Sequence, residues 1–398
     1  MMLNPLKGFK WLGSILLRRL RRAFSNIVEE WRFRQAARQL DFSVPKVHYG
    51  HYLDAAAGGP AIKTQKLARY FPHHQYGYNL IYTVNRTVPA EICRRAKKYG
   101  VKVVYNADGV LYGAYYPEER WRAVNERLRQ TYEQADYIFF QSKFAQFSTE
   151  YFLGEPKAPH EVLYNAVDTD IFKPPEKEAQ SSDITLLTTG YHRLYYRLEV
   201  VVRMIALLKK ELPNICLVIA GRLGQGDGIW DVEKPIQALV ERLDLSDNVI
   251  FLPAYSQQEA PQIYQAADAF VHAQWNDTCP SVVIEAMACG LPVVYSNSGG
   301  TPELVGDAGI GVSSRMSWEE IQIPSFKEFA ESVIQVLDRR TDFSKRARER
   351  AIRFFNIRDW IKRHQQIFEA LLKDEDRLPS GDDYVTNGGA HTGESFRL

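Results

Sequence analysis

The side chains in this chain best suited to hold a polyhydroxylated anion are Asp277, Glu285 and Glu303, with Ser281 between the first two. They lie in the stretch VHAQWNDTCPSVVIEAMACGLPVVYSNSGGTPELVG, from Val271 to Gly306. Carboxylates accept hydrogen bonds from sugar and ribose hydroxyls. Ser281 and the backbone N–H groups after it, at Val282 and Val283, stand at a helix start, where anions are favoured. Pro280 just ahead is compatible with that geometry. Gly299-Gly300 lets a backbone come close to a ligand. A phosphate with hydroxylated groups on both sides describes a nucleotide sugar. The plain alternative is an ordinary α/β unit with surface acids.

The elements that must position these groups follow from the pattern around them. Residues 269–273 are a short apolar run that reads as a strand, and the polar loop with Asp277, Pro280 and Ser281 follows it. Residues 282–289 read as a helix, with Gly290 as its left-handed stop. Residues 291–295 are a second buried strand, and Gly299-Gly300 opens a further loop before Thr301-Pro302-Glu303.

The spacing from Asp277 over seven residues to Glu285, then AMACGLPVV from Ala286 to Val294, then Gly299-Gly300 and Glu303, resembles the signature of family 4 glycosyltransferases, glycosyl transferases group 1. The family's usual pattern has Glu at both ends of the seven; here Asp277 is one methylene shorter. The resemblance spans roughly residues 46–372, strongly in the second domain and loosely in the first. It implies an α/β fold of the GT-B type, two Rossmann-like doubly wound parallel-sheet domains facing a cleft. It implies sugar transfer from a nucleotide-diphosphate sugar to an acceptor hydroxyl, with retention of configuration and no required metal or other cofactor. In it Asp277 holds sugar hydroxyls, Glu285 the ribose hydroxyls, and Glu303 sits near ribose or sugar.

Other positions carry over one by one. Gly58-Gly59, at a strand-to-helix turn, match the family's glycine-rich loop, and packing against a diphosphate is their expected role. The family commonly places an Arg and a later Lys after the first strand of the second domain to neutralise that diphosphate. This chain has Gly190, then Arg193 and Arg197, and no Lys until Lys209. Guanidinium groups there stabilise a leaving diphosphate as its charge develops. Gly221 ends the next strand at its ligand end, and Tyr255 follows the strand whose trailing backbone meets the base in the family. A His near the reacting sugar is usual in the first domain and absent here; Asn106 and Asp108 are the polar candidates in its place, with turn capping as their ordinary use. Residues 158–174 (APHEVLYNAVDTDIFKP) resemble the family's segment leading out of the first domain, through Asn165, Val167, Asp168, Phe172 and Pro174. That pattern explains Asp168-Thr169-Asp170 as turn and cap residues rather than a metal-binding pair of acids.

Composition sets the boundaries. A length of 398 residues holds two domains of about 150 residues each. The net charge of +2 gives no general case for nucleic acid. Four scattered cysteines point to a reducing, cytoplasmic setting, and nine histidines form no ligating pair. No apolar run approaches the length of a membrane span.

Residues 1–41 stand apart. Residues 1–40 carry nine basic side chains against two acidic ones. Phe9, Leu12, Leu16, Leu20, Phe24, Ile27 and Trp31 recur at helical spacing, with the basic residues opposite. Such a helix suits an anionic membrane surface, contacted through residues 1–35 on the inner face of the cell membrane; packing on its own protein or a partner, or a disordered leader, is the alternative. The expected division is 42–178 for the acceptor-side domain, 179–352 for the donor-side domain, 353–373 for a helix returning to the first domain, and 374–398 for a disordered tail. A lipid-linked or other glycan acceptor, as in cell-surface polysaccharide or glycolipid assembly, fits a membrane-docked enzyme. Two other readings share the motifs: a sugar-nucleotide epimerase or phosphorylase of the same fold, and a non-catalytic sugar-nucleotide-binding protein.

Overall fold

The computed structural model describes residues 34–35, 40–50, 59–116, 119–176, 183–224 and 232–375. Nearly all of the basic N-terminal stretch, Gly58, residues 177–182 at the expected domain boundary and nearly all of the C-terminal tail lie outside them. The first domain runs β1 (Val47–His48), α1 (Gly59–Ala68), β2 (Leu80–Val84), α2 (Ala90–Lys97), β3 (Lys102–Ala107), α3 (Arg120–Tyr132), β4 (Tyr137–Phe140), α4 (Lys143–Leu153) and β5 (His160–Val162). Its five strands are parallel and ordered β1-β2-β3-β4-β5. Runs such as LIYTV and YIFF are buried at every position, as strands covered on both faces must be.

Val47 is paired on both sides. Its register partner in β2 is Leu80, and an isolated parallel bridge joins it to His73 on the other edge. The chain thus leaves β1 through α1, touches the outer edge at His73, and returns across β1 to lay down β2. A reversal of strand order survives at β1, with the carboxyl ends of β1 and β2 flanking it.

The second domain runs β6 (Ile184–His192), α5 (Tyr195–Leu208), β7 (Ile215–Leu223), α6 (Glu233–Arg242), β8 (Val249–Leu252), α7 (Ala260–Gln265), β9 (Ala269–His272), α8 (Ser281–Ala288), β10 (Val293–Asn297), α9 (Thr301–Val305), β11 (Gly309–Ser313), α10 (Phe326–Asp338), α11 (Arg340–Phe354) and α12 (Ile357–Leu372). Its six parallel strands are ordered β11-β10-β9-β6-β7-β8, so the order reverses between β6 and β9. Asp277 lies in the loop after β9, and Gly190 lies near the carboxyl end of β6.

Helix α12 belongs in space to the first domain. Ile357, Trp360, His364, Ile367, Phe368 and Leu371 recur on one helical face and are buried. They pack with Leu67 of α1 on the face of the first sheet that presents Leu80, Tyr82, Val104 and Phe139. Helices α2, α3 and α4 cover the opposite face. His364 Nδ1 lies 2.8 Å from Trp360 O, and a carbonyl only accepts, so Nδ1 carries the proton. Its Nε2 then accepts from Tyr82 OH at 3.1 Å. Burial holds this imidazole neutral, pushing it down to about 3. Asn356 caps this helix: its side chain accepts from Arg358 N at 2.9 Å and starts α12.

Arg363 fastens α12 to β5. Its guanidinium meets both Glu161 oxygens, at 2.8 and 2.9 Å, with side chains only 2% and 7% exposed. Removing one member of a buried pair strands the other charge, so Arg363→Met is expected to lower the unfolding free energy by about 3–5 kcal/mol, read by urea denaturation. Arg363→Met combined with Glu161→Leu is expected to recover most of that loss.

Candidate functional site

The loop after β9 is built on bare backbone. Asn276 takes a left-handed conformation, φ +49°, and its N–H donates to Ser298 Oγ at 2.9 Å. Gly300 N donates to Asp277 O at 2.7 Å. A Cβ on Gly299 would stand 2.5 Å from Asp277 O, and one on Gly300 2.0 Å from Thr278 O. The glycine pair therefore lets the chain itself approach residues 276–278 closely. The bed it forms fixes Asp277, whose side chain is half-buried. His272 Nε2 donates to Asp277 Oδ2 across 3.1 Å. Burial lowers the His272 pKa, Asp277 opposes that, and the neighbouring Arg197 adds to it; His272 Nδ1 has no partner among the described residues.

The ends of β6 and β7 are stripped of side chains where they face α8. Gly190 (φ +127°) and Gly221 (φ +111°) are neighbours in register. A Cβ on Gly221 would lie 2.2 Å from Gly190 O, and one on Gly190 3.9 Å from Val282 Cγ1. The backbone of β6 thus stands against the first turn of α8, where Ser281 and Val282 are half-buried. Val283 is different. Its side chain is core and its N–H donates to Pro280 O at 3.1 Å, so that amide is taken up by the helix's own first turn. Beyond Gly190, the Arg193 guanidinium lies 4.3 Å over the Tyr191 ring, and Arg197 donates to Tyr191 O at 3.2 Å. Both arginines converge on the loop that leaves β6.

Glu285 sits one turn further into α8 and is buried. Tyr264 OH donates to its Oε2 at 3.0 Å, and Gln257 Nε2 lies 3.4 Å from Oε1. Thr189 Oγ1 is 3.1 Å from Tyr264 OH, and Tyr255 joins the same group. Burial raises the Glu285 pKa, against the pull of Lys66 and these hydrogen bonds.

Lys66 belongs to the first domain, whose side of the seam the sequence left mostly unread. Lys66 Nζ donates to Ala166 O at 3.0 Å. Lys63 Nζ donates to Asn106 Oδ1 at 2.7 Å and lies 3.4 Å from Asp108 Oδ1. Asn106 is thereby buried against an ammonium, and Gly59 stands over Asp108. Gln141 donates to Asp108 and accepts from Asn165 at 2.7 Å. Lys63 and Lys66 stand three residues apart on one helix just after the Gly pair, the one signal in the sequence that marked them.

The two domains meet on the loop ahead of α8. Ser142 Oγ donates to Thr278 O at 2.7 Å, and Asn165 Nδ2 to Cys279 O at 2.9 Å. Gly109 lies so close that a Cβ there would be 2.8 Å from Thr278 Oγ1. Glu303 is committed to this seam. Its carboxylate accepts from the N–H groups of Lys143 and Phe144 at 2.9 and 3.0 Å and from Tyr164 OH at 3.2 Å. It caps α4 of the other domain, where the helix dipole favours a negative charge. The expected place of Glu303 beside ribose or sugar is therefore corrected: both its oxygens are taken. Trp275 and Trp318 of the second domain pack in one cluster with Tyr112, Phe144 and Leu128 of the first.

Asp277, Glu285, Gly190, Gly221, Arg193, Arg197, Tyr255 and Ser281 gather at the carboxyl ends of the second sheet; Gly59, Asn106 and Asp108 gather on the first. Asp168 Oδ1 accepts from Asp170 N at 3.0 Å, a turn as expected. Among the described residues no cluster of His, Cys, Asp or Glu is arranged to hold a metal ion, and no helix is long and apolar enough to cross a membrane.

Residues 170–354 match the family model for glycosyl transferases group 1. D-inositol 3-phosphate glycosyltransferase of Mycolicibacterium smegmatis is 27% identical over 246 residues, 60% of this chain and 53% of that protein. The chain spans about half the length of the curated relatives it matches. Among solved structures, HepE of Anabaena in complex with UDP superposes with a TM-score of 0.60 at 18% identity, over 77% of this chain and 80% of that one. Sucrose-phosphate synthase of Thermosynechococcus elongatus gives 0.63 at 19% identity over 79% of each chain. These likenesses show the GT-B fold.

The raised pKa of Glu285 has a consequence for stability. An acid whose pKa rises on folding binds more protons in the native state, so stability falls as pH climbs from its ordinary value of 4.5 through the raised one. Glu285→Gln removes that charge. Its thermal midpoint is expected to match wild type near pH 4 and to exceed it increasingly at higher pH, levelling off once Glu285 is ionised; a gap that narrows with pH contradicts this.

Proposed function

We propose that this chain, whose residues 170–354 form a glycosyl transferases group 1 domain, transfers a sugar from a nucleoside diphosphate sugar to an acceptor hydroxyl. One observation carries the reading. The start of α8 faces strand ends made bare by Gly190 and Gly221, with Glu285 one turn on and Asp277 in the loop just before. A diphosphate fits against the amides of Ser281 and Val282 and the backbone at Gly190, with Arg193 and Arg197 supplying positive charge. Ribose hydroxyls donate to Glu285, and Tyr255 lies on the base side. Sugar hydroxyls donate to Asp277, which His272 holds from behind.

In the reaction the bond from the anomeric carbon to the β-phosphate oxygen breaks, and the diphosphate leaves with the electron pair. The acceptor oxygen bonds the same carbon and gives up its proton to the departing phosphate. Arginines and helix N–H groups stabilise the charge that develops, the task a divalent cation performs in other transferases. Retention of configuration follows from the family resemblance. UDP is the first nucleotide to test, since it is the one bound in HepE of Anabaena. Asp108 faces the acceptor, and Asn106, buried behind it, holds Lys63. The basic residues 1–35, of which the described structure includes only 34–35, dock the enzyme on the cytoplasmic face of an anionic membrane, where a lipid-linked glycan is at hand for glycolipid or polysaccharide assembly.

A panel of UDP- and GDP-sugars scored by nucleoside diphosphate release tests the activity. Arg197→Ala is expected to lower kcat by about 100-fold, as loss of a group that meets developing charge does. Glu285→Ala is expected to weaken donor binding and transfer together while circular dichroism stays native. Full transfer by a folded Glu285→Ala protein removes the site assignment. Deletion of residues 1–35 is expected to release the protein from phosphatidylserine vesicles, and unchanged sedimentation with them contradicts the docking.

A further inference from the structure

The first domain holds a buried cation that the donor site does not use. Lys63, on the second turn of α1, is 6% exposed, and its Nζ reaches Asn106 Oδ1 and Asp108 Oδ1. Asp108 is constrained further. Its N–H donates to Asn85 Oδ1 at 2.9 Å, and Oδ1 also accepts from Gln141 Nε2. The Gln141 amide is itself oriented, because its Oε1 accepts from Asn165, which donates in turn to Cys279 O just ahead of α8. Oδ1 is therefore spent. Oδ2 points toward Gly59, the one residue of α1 with no side chain to cover it: a Cβ there would stand 3.7 Å from Oδ2. Asp108 keeps 20% of its side chain exposed.

We propose that Lys63 is a positioning residue of the acceptor side, fixing Asn106 and Asp108 so that Asp108 Oδ2 takes the hydrogen bond of the incoming acceptor hydroxyl. The proposal rests on the transferase reading and names the oxygen within it. An apolar residue at position 63 would fill the space without the desolvation of an ammonium, and buried ion pairs are often no more stabilising than the hydrophobic groups that replace them. What the pair supplies is a carboxylate of fixed orientation. Held by an ammonium and an amide, Asp108 orients the hydroxyl and leaves its proton to the departing phosphate. The chain from Lys63 through Asp108, Gln141 and Asn165 ends at Cys279, so the acceptor oxygen is placed relative to the loop that carries Asp277.

The test uses the full chain, UDP binding by calorimetry, and UDP release from UDP-glucose with water and with octyl β-glucoside as acceptors. Lys63→Met is expected to keep the UDP Kd within about threefold of wild type and to lower turnover about 100-fold, the scale of a misplaced reacting group. Lys63→Arg is expected to restore about a tenth of wild-type turnover or more, and Lys63→Met with Asp108→Asn to be no slower than either alone, as for residues acting as a unit. Wild-type turnover in Lys63→Met overturns the proposal. So does a fall in UDP affinity that matches the fall in turnover, which marks a purely structural role. If wild type neither binds UDP nor releases it from the sugar, the transferase reading fails and takes this one with it.

Discussion

The backbone of residues 276–280 is confined from both sides, and the donor half of the site depends on that confinement. From below, Gly299 and Gly300 lie against Asp277 O and Thr278 O at distances no side chain would permit. From across the seam, Gly109, Ser142 and Asn165 hold Thr278 and Cys279. Asn276 adopts a left-handed conformation that L residues seldom take, and such a conformation persists only where the surroundings over-determine it. The same five residues aim Asp277 and start α8. The geometry of the candidate donor site is thus partly set by the first domain, through this loop and through the charge of Lys66 near Glu285.

Charges along the seam, buried at Lys63 and Glu285 and half-buried at Lys66 and Glu303, give it its character. Glu285 rests on Tyr264 and Gln257, Glu303 on two amides and Tyr164, Lys63 on Asn106 and Asp108, and Lys66 on a carbonyl. Only Lys63 has a formal counter-charge in direct contact. Neutral hydrogen-bond partners compensate part of the lost hydration of a charge, and each such group weakens the fold unless a ligand completes it. Their concentration in one place, at the ends of two sets of parallel strands, is what a binding site built for charged and hydroxylated groups looks like. The aromatic cluster around Trp318 and Trp275 supplies apolar burial beside it, which offsets the cost of bringing these charges together.

The second domain was legible because its signals are local. Asp277, Ser281 and Glu285 are fixed by one strand–loop–helix unit, and a regular spacing in sequence becomes a regular spacing in space. The glycines were read correctly as places of close approach, but the sequence does not say what approaches: at Gly299 it is the chain itself. Glu303 misled for the same reason, since its partners at Lys143 and Phe144 are some 160 positions away. The first domain hid its site in ordinary-looking residues. Lys63 and Lys66 carry no motif in the sequence; Lys63 is buried because Asn106 and Asp108, more than 40 positions away, meet its Nζ, while Lys66 stays half-buried. His272 ends an apolar strand, where a buried histidine is unremarkable, and its hold on Asp277 depends on a turn that the left-handed Asn276 creates.

The two crossings between domains lie side by side. Val167 N donates to Phe355 O and Ile357 N to Val167 O, at 2.8 and 3.0 Å, so the outgoing and returning chains are stitched into one ribbon. Arg348 strengthens it, donating to Thr169 O and Phe172 O on one chain and to Ala288 O of α8. The seam is held by one hydrogen bond from Ser142, by Asn165 on Cys279, and by three hydrogen bonds to Glu303, each of modest net worth because water competes for the same partners. The stitched ribbon fixes where the two chains cross between the domains, and the hydrogen bonds at Ser142, Asn165 and Glu303 fix how the loop ahead of α8 lies against the first domain.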